Sequence, residues 1–173
     1  MNIYIINGFP QSGKDTFVRY CTRQFSSNSK EKIFSLSTVD PIKQMLFLYG
    51  WDNVKTPSIR KVISETKKLL VEEGIIDEYI SKFIEDYAYK TDGILFIFSR
   101  EPEEIQRFKE KYGAKTIFIK RNNINFVNLS NDSDKNVENF NYDFYIDNNG
   151  SYEDLNNQVK IFLKNEQLIW FFF

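Results

Sequence analysis

Hydrophobic and polar positions follow two periods along this chain. Short apolar runs, as in strands, alternate with longer stretches in which apolar residues recur every three or four positions, as in amphipathic helices. The clearest run is 93–98, Gly-Ile-Leu-Phe-Ile-Phe, which is typical of a strand buried on both faces. Further strands are predicted at 3–6, 31–37, 115–120 and 142–146. Strands and helices that alternate predict the α/β class, with a five-stranded parallel sheet flanked by helices in three layers.

Start and stop signals bound the predicted helices. Asp40-Pro41 and Thr56-Pro57 each combine an N-cap residue with proline at the first helical position. Ser151 with Asp154 resembles a capping box for a last helix. Helix ends are predicted at three glycines, Gly50, Gly74 and Gly113.

The spacing of these elements predicts one domain over 1–173 with two elaborations. Three consecutive helices lie between the second and third strands, so 40–90 is predicted to be an insertion that binds a second substrate. The segment 121–139 is rich in Asn, Asp and Ser, which favours a short lid or loop.

The stretch 8–16, Gly-Phe-Pro-Gln-Ser-Gly-Lys-Asp-Thr, carries the strongest chemical signal. It follows a strand and precedes a helix, as a phosphate-binding loop does. Its glycines allow the backbone amides to point inward, and the helix N-terminus adds partial positive charge. Lys14 is expected to reach the β- and γ-phosphates of a nucleoside triphosphate. The predicted nucleotide-binding residues are Gly8, Gln11, Ser12, Gly13, Lys14, Asp15 and Thr16.

The position after the lysine bears on magnesium binding. The usual Ser or Thr is replaced by Asp15, with Thr16 one place later. We expect Asp15, directly or through water, and Thr16 to hold the ion together. The alternative for Asp15 is a helix N-terminal carboxylate that the helix dipole favours.

Polar residues also follow the other predicted strands. Ligands of parallel sheets bind beyond the carboxyl ends of the strands. Ser99-Arg100 follows the third strand, Arg121 the fourth and Asp147-Asn148 the fifth. The alternative for Arg100 is a surface ion pair with a glutamate of the following helix.

Composition narrows the functional classes. The 23 basic and 24 acidic residues give a net charge of −1, so no electrostatic footprint favours a nucleic-acid partner. The sequence has no histidine, which excludes His-based triads and His-ligated zinc. The single cysteine, Cys21, is expected to be packed on the first helix. No apolar run approaches membrane-spanning length, so we expect a cytoplasmic protein without a membrane partner.

Several motifs together resemble a known family. They are Gly-x-x-x-Ser-Gly-Lys-Asp-Thr from Gly8, Asp-Pro-Ile-Lys from Asp40, a helix led by Arg60, Arg-x-Pro from Arg100, and Tyr-Asp-Phe-Tyr-Ile-Asp-Asn-x-Gly-Ser from Tyr142. In this order they resemble the P-loop nucleoside-monophosphate kinase superfamily. The branch they resemble most contains phage-type deoxynucleoside monophosphate kinases and phosphomevalonate kinases.

The resemblance implies transfer of the γ-phosphoryl group of ATP, with Mg²⁺, to a small phosphorylated acceptor, such as a (deoxy)nucleoside monophosphate. It implies that Asp40, Lys43 and Arg60 lie on the acceptor side. It also implies that Arg100 and Arg121, with Lys14, are the catalytic residues that spread charge in the transition state. Asp40 has the alternative role of a helix cap.

Two departures from the family pattern keep alternatives open. Ser99 stands where the family has an acidic residue at the end of the third strand, and the lid has few arginines. A same-fold kinase of a non-nucleotide phosphate ester and a non-catalytic ATP-binding sensor are the alternatives. The aromatic tail 170–173 packs on the domain or forms an oligomer contact, so either a monomer or a homodimer is expected.

Overall fold

A computed structural model describes residues 1–25, 32–88, 93–122 and 137–168. The described strands are β1 (Asn2–Asn7), β2 (Lys32–Ser37), β3 (Gly93–Phe98), β4 (Lys115–Lys120) and β5 (Phe144–Asp147). The described helices are α1 (Lys14–Phe25), α2 (Asp40–Leu48), α3 (Pro57–Glu72), α4 (Ile75–Ala88), α5 (Pro102–Tyr112) and α6 (Tyr152–Asn165). The α/β class and the five-stranded sheet are therefore confirmed.

The sheet places the phosphate-loop motif at its centre. The strand order is β2-β3-β1-β4-β5, and β1 pairs in parallel with β3 on one side and β4 on the other. After β1 the chain forms β2 at one edge of the sheet and then β3 between β2 and β1. It continues to β4 on the other side of β1. The carboxyl end of β1 is thus a switch point, where parallel sheets bind their ligands.

An aromatic cluster fills the core between the sheet, α1 and α6. The ring of Phe162, which is 3 % exposed, lies 5.1 Å from Tyr4, 5.5 Å from Phe17 and 5.3 Å from Phe144. Such tilted and edge-on pairs add to the free energy gained by burying the rings. Cys21 is buried in the same core, and burial raises the pKa of its thiol.

The chain folds into two compact units, 1–35 with 91–173 and 36–90. The second unit contains α2, α3 and α4. Here Ile76 and Ile80 are buried as the helical spacing predicts. Helical spacing in the sequence predicts one apolar face on α3, formed by Ile59, Val62, Ile63, Thr66, Leu69 and Leu70. This prediction is partly wrong, because Leu69 is 62 % exposed whereas Lys67 is buried.

The helix caps are confirmed except at Asp40. Thr56 accepts a hydrogen bond from the amide of Ile59, and Ser151 and Asp154 form the complete capping box. The predicted N-cap at Asp40 is wrong by one position, because Val39 is the N-cap residue of α2. The carboxylate of Asp40 instead accepts from the amide of Ser37 at 2.6 Å, which closes the turn between β2 and α2.

Two predicted segments fall largely or wholly outside the described residues. These are the lid, of which 123–136 is not described, and the aromatic tail. Within the described ranges, no helix is long and apolar enough to cross a membrane.

The core cluster predicts a large effect of Phe162→Ala. Removing this ring leaves a cavity between three other aromatic rings, so we expect the free energy of unfolding to fall by about 3–5 kcal/mol. Ile161→Ala is the matched control, since Ile161 is the preceding residue on α6 and is 58 % exposed. Its effect should stay within about 0.5 kcal/mol. Urea unfolding measures both, and equal effects would contradict this assignment of the core.

A second contact makes stability depend on pH. The carboxylate of Asp143 accepts hydrogen bonds from Lys109 Nζ at 2.7 Å and from the amide and hydroxyl of Thr116 at 2.8 Å. Burial alone raises the pKa of Asp143, but these bonds outweigh it and lower the pKa below its ordinary value of 3.8. The carboxylate thus joins α5, β4 and the start of β5.

Because the pKa of Asp143 is lower in the folded than in the unfolded chain, its stabilisation is present above about pH 4 and is lost as pH falls through the folded pKa. We therefore expect Asp143→Asn to be less stable than the wild type at neutral pH. The difference between the two proteins should shrink as the pH is lowered from about 4 to about 2. Thermal unfolding across this range measures it, and a constant difference would refute the linkage.

Candidate functional site

The chain between β1 and α1 forms a tight loop at the switch point. Three of its residues have positive φ angles: Gly8 (146°), Gln11 (62°) and Gly13 (100°). A Cβ atom at Gly8 would lie 2.5 Å from the carbonyl oxygen of Ile119, and one at Gly13 would collide with the side-chain amide of Asn148. Both glycines are therefore required by the backbone angles and by close packing.

The side chain of Lys14 turns back over this loop. Its Nζ donates hydrogen bonds to the carbonyl oxygens of Gly8 at 2.6 Å and Phe9 at 2.8 Å, and lies 3.5 Å from Ser12 Oγ. Lys14 is also the first residue of α1, whose leading amides have no acceptor within the helix. An ammonium group and the leading helix amides thus converge on one small volume, which is the arrangement that binds anions.

Two residues that follow β4 and β5 hold the loop in place. Asn148, after β5, donates from its side-chain amide to the carbonyl oxygen of Ser12 at 2.8 Å. Arg121, directly after β4, donates from Nη1 to the carbonyl oxygen of Gln11 at 3.4 Å and is exposed. The structure therefore brings Arg121 and the loop together.

Asn7, the last residue of β1, joins the loop to the turn after β3. Its side-chain oxygen accepts from the amide of Gly8 at 2.8 Å, and its side-chain nitrogen lies 3.3 Å from the carbonyl oxygen of Arg100. The backbone of Arg100 is thereby held beside the start of the loop, and its side chain is half-buried.

Ser99 has a carboxylate partner that lies five residues later in the sequence. Both Ser99 and Glu104 are 2 % exposed, and the serine hydroxyl donates to Glu104 Oε2. Glu104 lies in the first turn of α5, where the helix dipole favours a negative charge. A buried carboxylate thus lies beside the end of β3, on the helix that follows.

The residues predicted to hold magnesium lie in the first turn of α1. Asp15 is exposed and Thr16 is half-buried. Within the described residues, no group of three Asp, Glu, Cys or His side chains could hold a metal ion alone. Mg²⁺ bound with a nucleotide takes most of its ligands from phosphates and water, so one carboxylate and one hydroxyl fit this ion.

The predicted acceptor residues lie in the second unit. Lys43 Nζ is 3.1 Å from Asp40 Oδ1, so α2 brings these two side chains together. Arg60, on α3, is exposed and donates from Nε to the carbonyl oxygen of Lys55 at 3.4 Å. Asp40 therefore has a structural role in its turn, whatever else it binds.

The sequence did not indicate the contacts of Asn7 and Glu104, and it placed Asn148 at this edge of the sheet without indicating its partner, Ser12. Asn7 carries a signal, because it is a polar residue at the end of an apolar strand and directly before the first loop glycine. Glu104 and Asn148 carry little signal, because their contacts join positions 5 and 136 residues apart. A single sequence does not reveal such pairings.

Comparison with known proteins places this geometry in a known fold. No model of a protein family matches the sequence, and the search of curated proteins finds no similar one. Among solved structures, shikimate kinase from Aquifex aeolicus matches with 17% identity and a TM-score of 0.50, covering 97% of this chain and 99% of that one.

Two further structures match over nearly their whole length. Shikimate kinase from Bacteroides thetaiotaomicron has 12% identity and a TM-score of 0.54, covering 96% of this chain and 98% of that one. The protein TT1252 from Thermus thermophilus has 12% identity and a TM-score of 0.52, covering 95% and 97%. The chain has the fold of shikimate kinases. At these identities the likeness concerns the fold and leaves the substrate open.

The close packing at Gly13 predicts the effect of Gly13→Ala. The added methyl group meets both an unfavourable φ angle and the amide of Asn148, so we expect a loss of stability of at least about 1–3 kcal/mol. Gly113→Ala is the matched control, because Gly113 also has a positive φ angle but its methyl group would enter open space. Chemical denaturation should show the larger loss for Gly13→Ala, and the reverse order would contradict the described packing.

Proposed function

We propose that this protein is an ATP-dependent phosphotransferase that moves the γ-phosphoryl group to a small phosphorylated acceptor, a (deoxy)nucleoside monophosphate in the first instance. The observation that carries the proposal is the glycine-bounded loop at the switch point, with Lys14 Nζ folded over it. This ammonium group donates hydrogen bonds to the carbonyl oxygens of Gly8 and Phe9. Phosphate oxygens are stronger acceptors for a cation than neutral carbonyls are, so a polyphosphate would compete for Lys14 successfully.

Three cations support phosphoryl transfer in this proposal. Lys14 neutralises the β- and γ-phosphates, and Arg121, held beside Gln11, lies next to the same loop. Arg100 follows β3, the strand adjacent to β1. Donor and acceptor phosphates repel each other, so several cations are needed to bring them together and to spread charge in the transition state.

Magnesium would be held by Asp15 and Thr16 together with the phosphates. When bound, the ion would supply positive charge that offsets the charge developing on the phosphates. Ser99 stands where the related kinases have an acidic residue at the end of the third strand. Its hydrogen-bond partner Glu104 supplies a buried carboxylate close to that position. Asp40, Lys43 and Arg60 are proposed to bind the acceptor.

The nucleotide-binding part of the proposal predicts a large effect of Lys14→Met. Methionine keeps the length of the side chain but removes the ammonium group, so Mg-ATP affinity should fall at least about tenfold, equivalent to about 1.4 kcal/mol. Lys61→Met is the control, since Lys61 is exposed and paired with Glu65 on α3. Titration calorimetry measures both. Unchanged affinity in Lys14→Met would remove the basis for the proposal.

The acceptor is tested by a panel. ATP consumption should rise many-fold with one nucleoside monophosphate, and Lys14→Met should abolish the rise. The panel should include shikimate and phosphorylated isoprenoid precursors, because two of the structural neighbours are kinases named for a non-nucleotide acceptor. Stimulation by one of these compounds alone would favour the non-nucleotide kinase.

The remaining candidate is a non-catalytic ATP sensor. It is favoured by one observation, that Ser99 replaces an acidic residue at the end of β3. A sensor should bind ATP with the same affinity in the presence and absence of magnesium, and no acceptor should stimulate turnover. A kinase should show both magnesium dependence and stimulation.

A further inference from the structure

The buried side chain of Asn7 makes three hydrogen bonds at once. It is 0 % exposed, its oxygen accepts from the amide of Gly8, and its nitrogen donates to the carbonyl oxygen of Arg100 at 3.3 Å and to the hydroxyl of Tyr142 at 2.7 Å. A primary amide has two N–H donors, so both are engaged. Each partner belongs to a different segment of the chain.

Tyr142 extends this set of contacts. Its hydroxyl accepts from Asn7 and donates to the carbonyl oxygen of Val137 at 2.7 Å. Its ring lies 5.0 Å from the ring of Phe118, the residue that pairs with Asn7 on β4. Burial raises the pKa of Tyr142 to about 12, so the hydroxyl stays protonated and can serve as donor and acceptor together.

Removing one partner from such a buried set leaves the others without a hydrogen bond, which costs more than the bond itself contributed. The geometry at Asn7 is therefore strongly determined. Because the side-chain oxygen of Asn7 accepts from the amide of Gly8, displacing this side chain removes the hydrogen bond that holds the first amide of the loop. The same displacement releases the backbone of Arg100.

We propose that Asn7 is a positioning residue that fixes the phosphate loop and Arg100 relative to each other. Tyr142 holds the side chain of Asn7 in place by accepting a hydrogen bond from its nitrogen. This inference rests on the proposed function, since it assigns the purpose of the arrangement to binding phosphates. Asn7 itself does not touch the nucleotide. It acts through the amide of Gly8 and through the backbone of Arg100.

Thr116 provides a matched control. Like Asn7, it is polar and 0 % exposed. It lies on β4, which pairs with β1, and its hydroxyl donates a hydrogen bond to the carboxylate of Asp143. Thr116→Val and Asn7→Leu both remove buried hydrogen bonds while they keep the number and branching of the side-chain heavy atoms. Both variants should lower the melting temperature, so stability alone does not separate them.

The first readout is amide hydrogen exchange in the ligand-free protein, which does not depend on nucleotide binding. In Asn7→Leu we expect exchange to become at least about tenfold faster in peptides covering 8–14 and 99–101, because the local anchor is lost. Tyr142→Phe, which keeps the ring and deletes the hydroxyl, should give a smaller change of the same pattern. Thr116→Val should leave these peptides unchanged. Unchanged exchange in Asn7→Leu would overturn the inference.

The second readout is Mg-ATP affinity by calorimetry, at a temperature where every variant is folded. We expect about a tenfold loss for Asn7→Leu, a smaller loss for Tyr142→Phe and none for Thr116→Val. The double variant Asn7→Leu with Arg100→Ala should lose less than the product of the single losses, because both changes remove the same contribution.

The outcomes separate the inference from the proposed function. Faster exchange at 8–14 with unchanged Mg-ATP affinity in Asn7→Leu would overturn the positioning role. If the wild-type protein binds no Mg-ATP, the proposed function fails, and the exchange data still decide whether Asn7 anchors the two segments. Losses that multiply in the double variant would overturn the action through Arg100.

Discussion

The structure depends on holding the ammonium group of Lys14 beside the N-terminus of α1, which already carries partial positive charge. Lys14 begins α1, so its ammonium group and the leading amides of the helix share one small volume. The carbonyl oxygens of Gly8 and Phe9 accept hydrogen bonds from the ammonium group. This requires a backbone that turns back on itself, and the positive φ angles at Gly8 and Gly13 provide the turn.

A loop of this shape needs support from outside, and the parallel sheet supplies it. Because β3, β4 and β5 all run parallel to β1, the residues that follow these strands lie at the same edge of the sheet as the loop. Asn148 and Arg121 donate hydrogen bonds to loop carbonyls, while the side-chain oxygen of Asn7 accepts from the amide of Gly8, the first in the loop. The aromatic core around Phe162 stabilises the sheet and α1 and so keeps these strand ends in register.

Much of this could be predicted from the sequence, because the signals are local. The run 93–98 and the loop 8–16 each carry their pattern within a few residues, so the sheet, its class and the glycine-bounded loop between β1 and α1 were predicted correctly. The cap at Asp40 was misplaced, because its carboxylate serves the turn before the helix. The predicted face of α3 failed at Leu69, since an apolar stripe states which residues can be buried but not what covers them. The pairing of Ser12 with Asn148 joins positions 136 residues apart, so it depends on tertiary structure and no local pattern encodes it.

We propose that the loop from Gly8 to Thr16 is shaped to bind a polyphosphate. The most direct measurement is the amide NMR spectrum of isotope-labelled protein during titration with Mg-ATP, followed by titration with Mg-tripolyphosphate. We expect both ligands to shift the amide signals of this loop and of the first turn of α1. Shifts confined to other parts of the protein, or no shifts with either ligand, would contradict it.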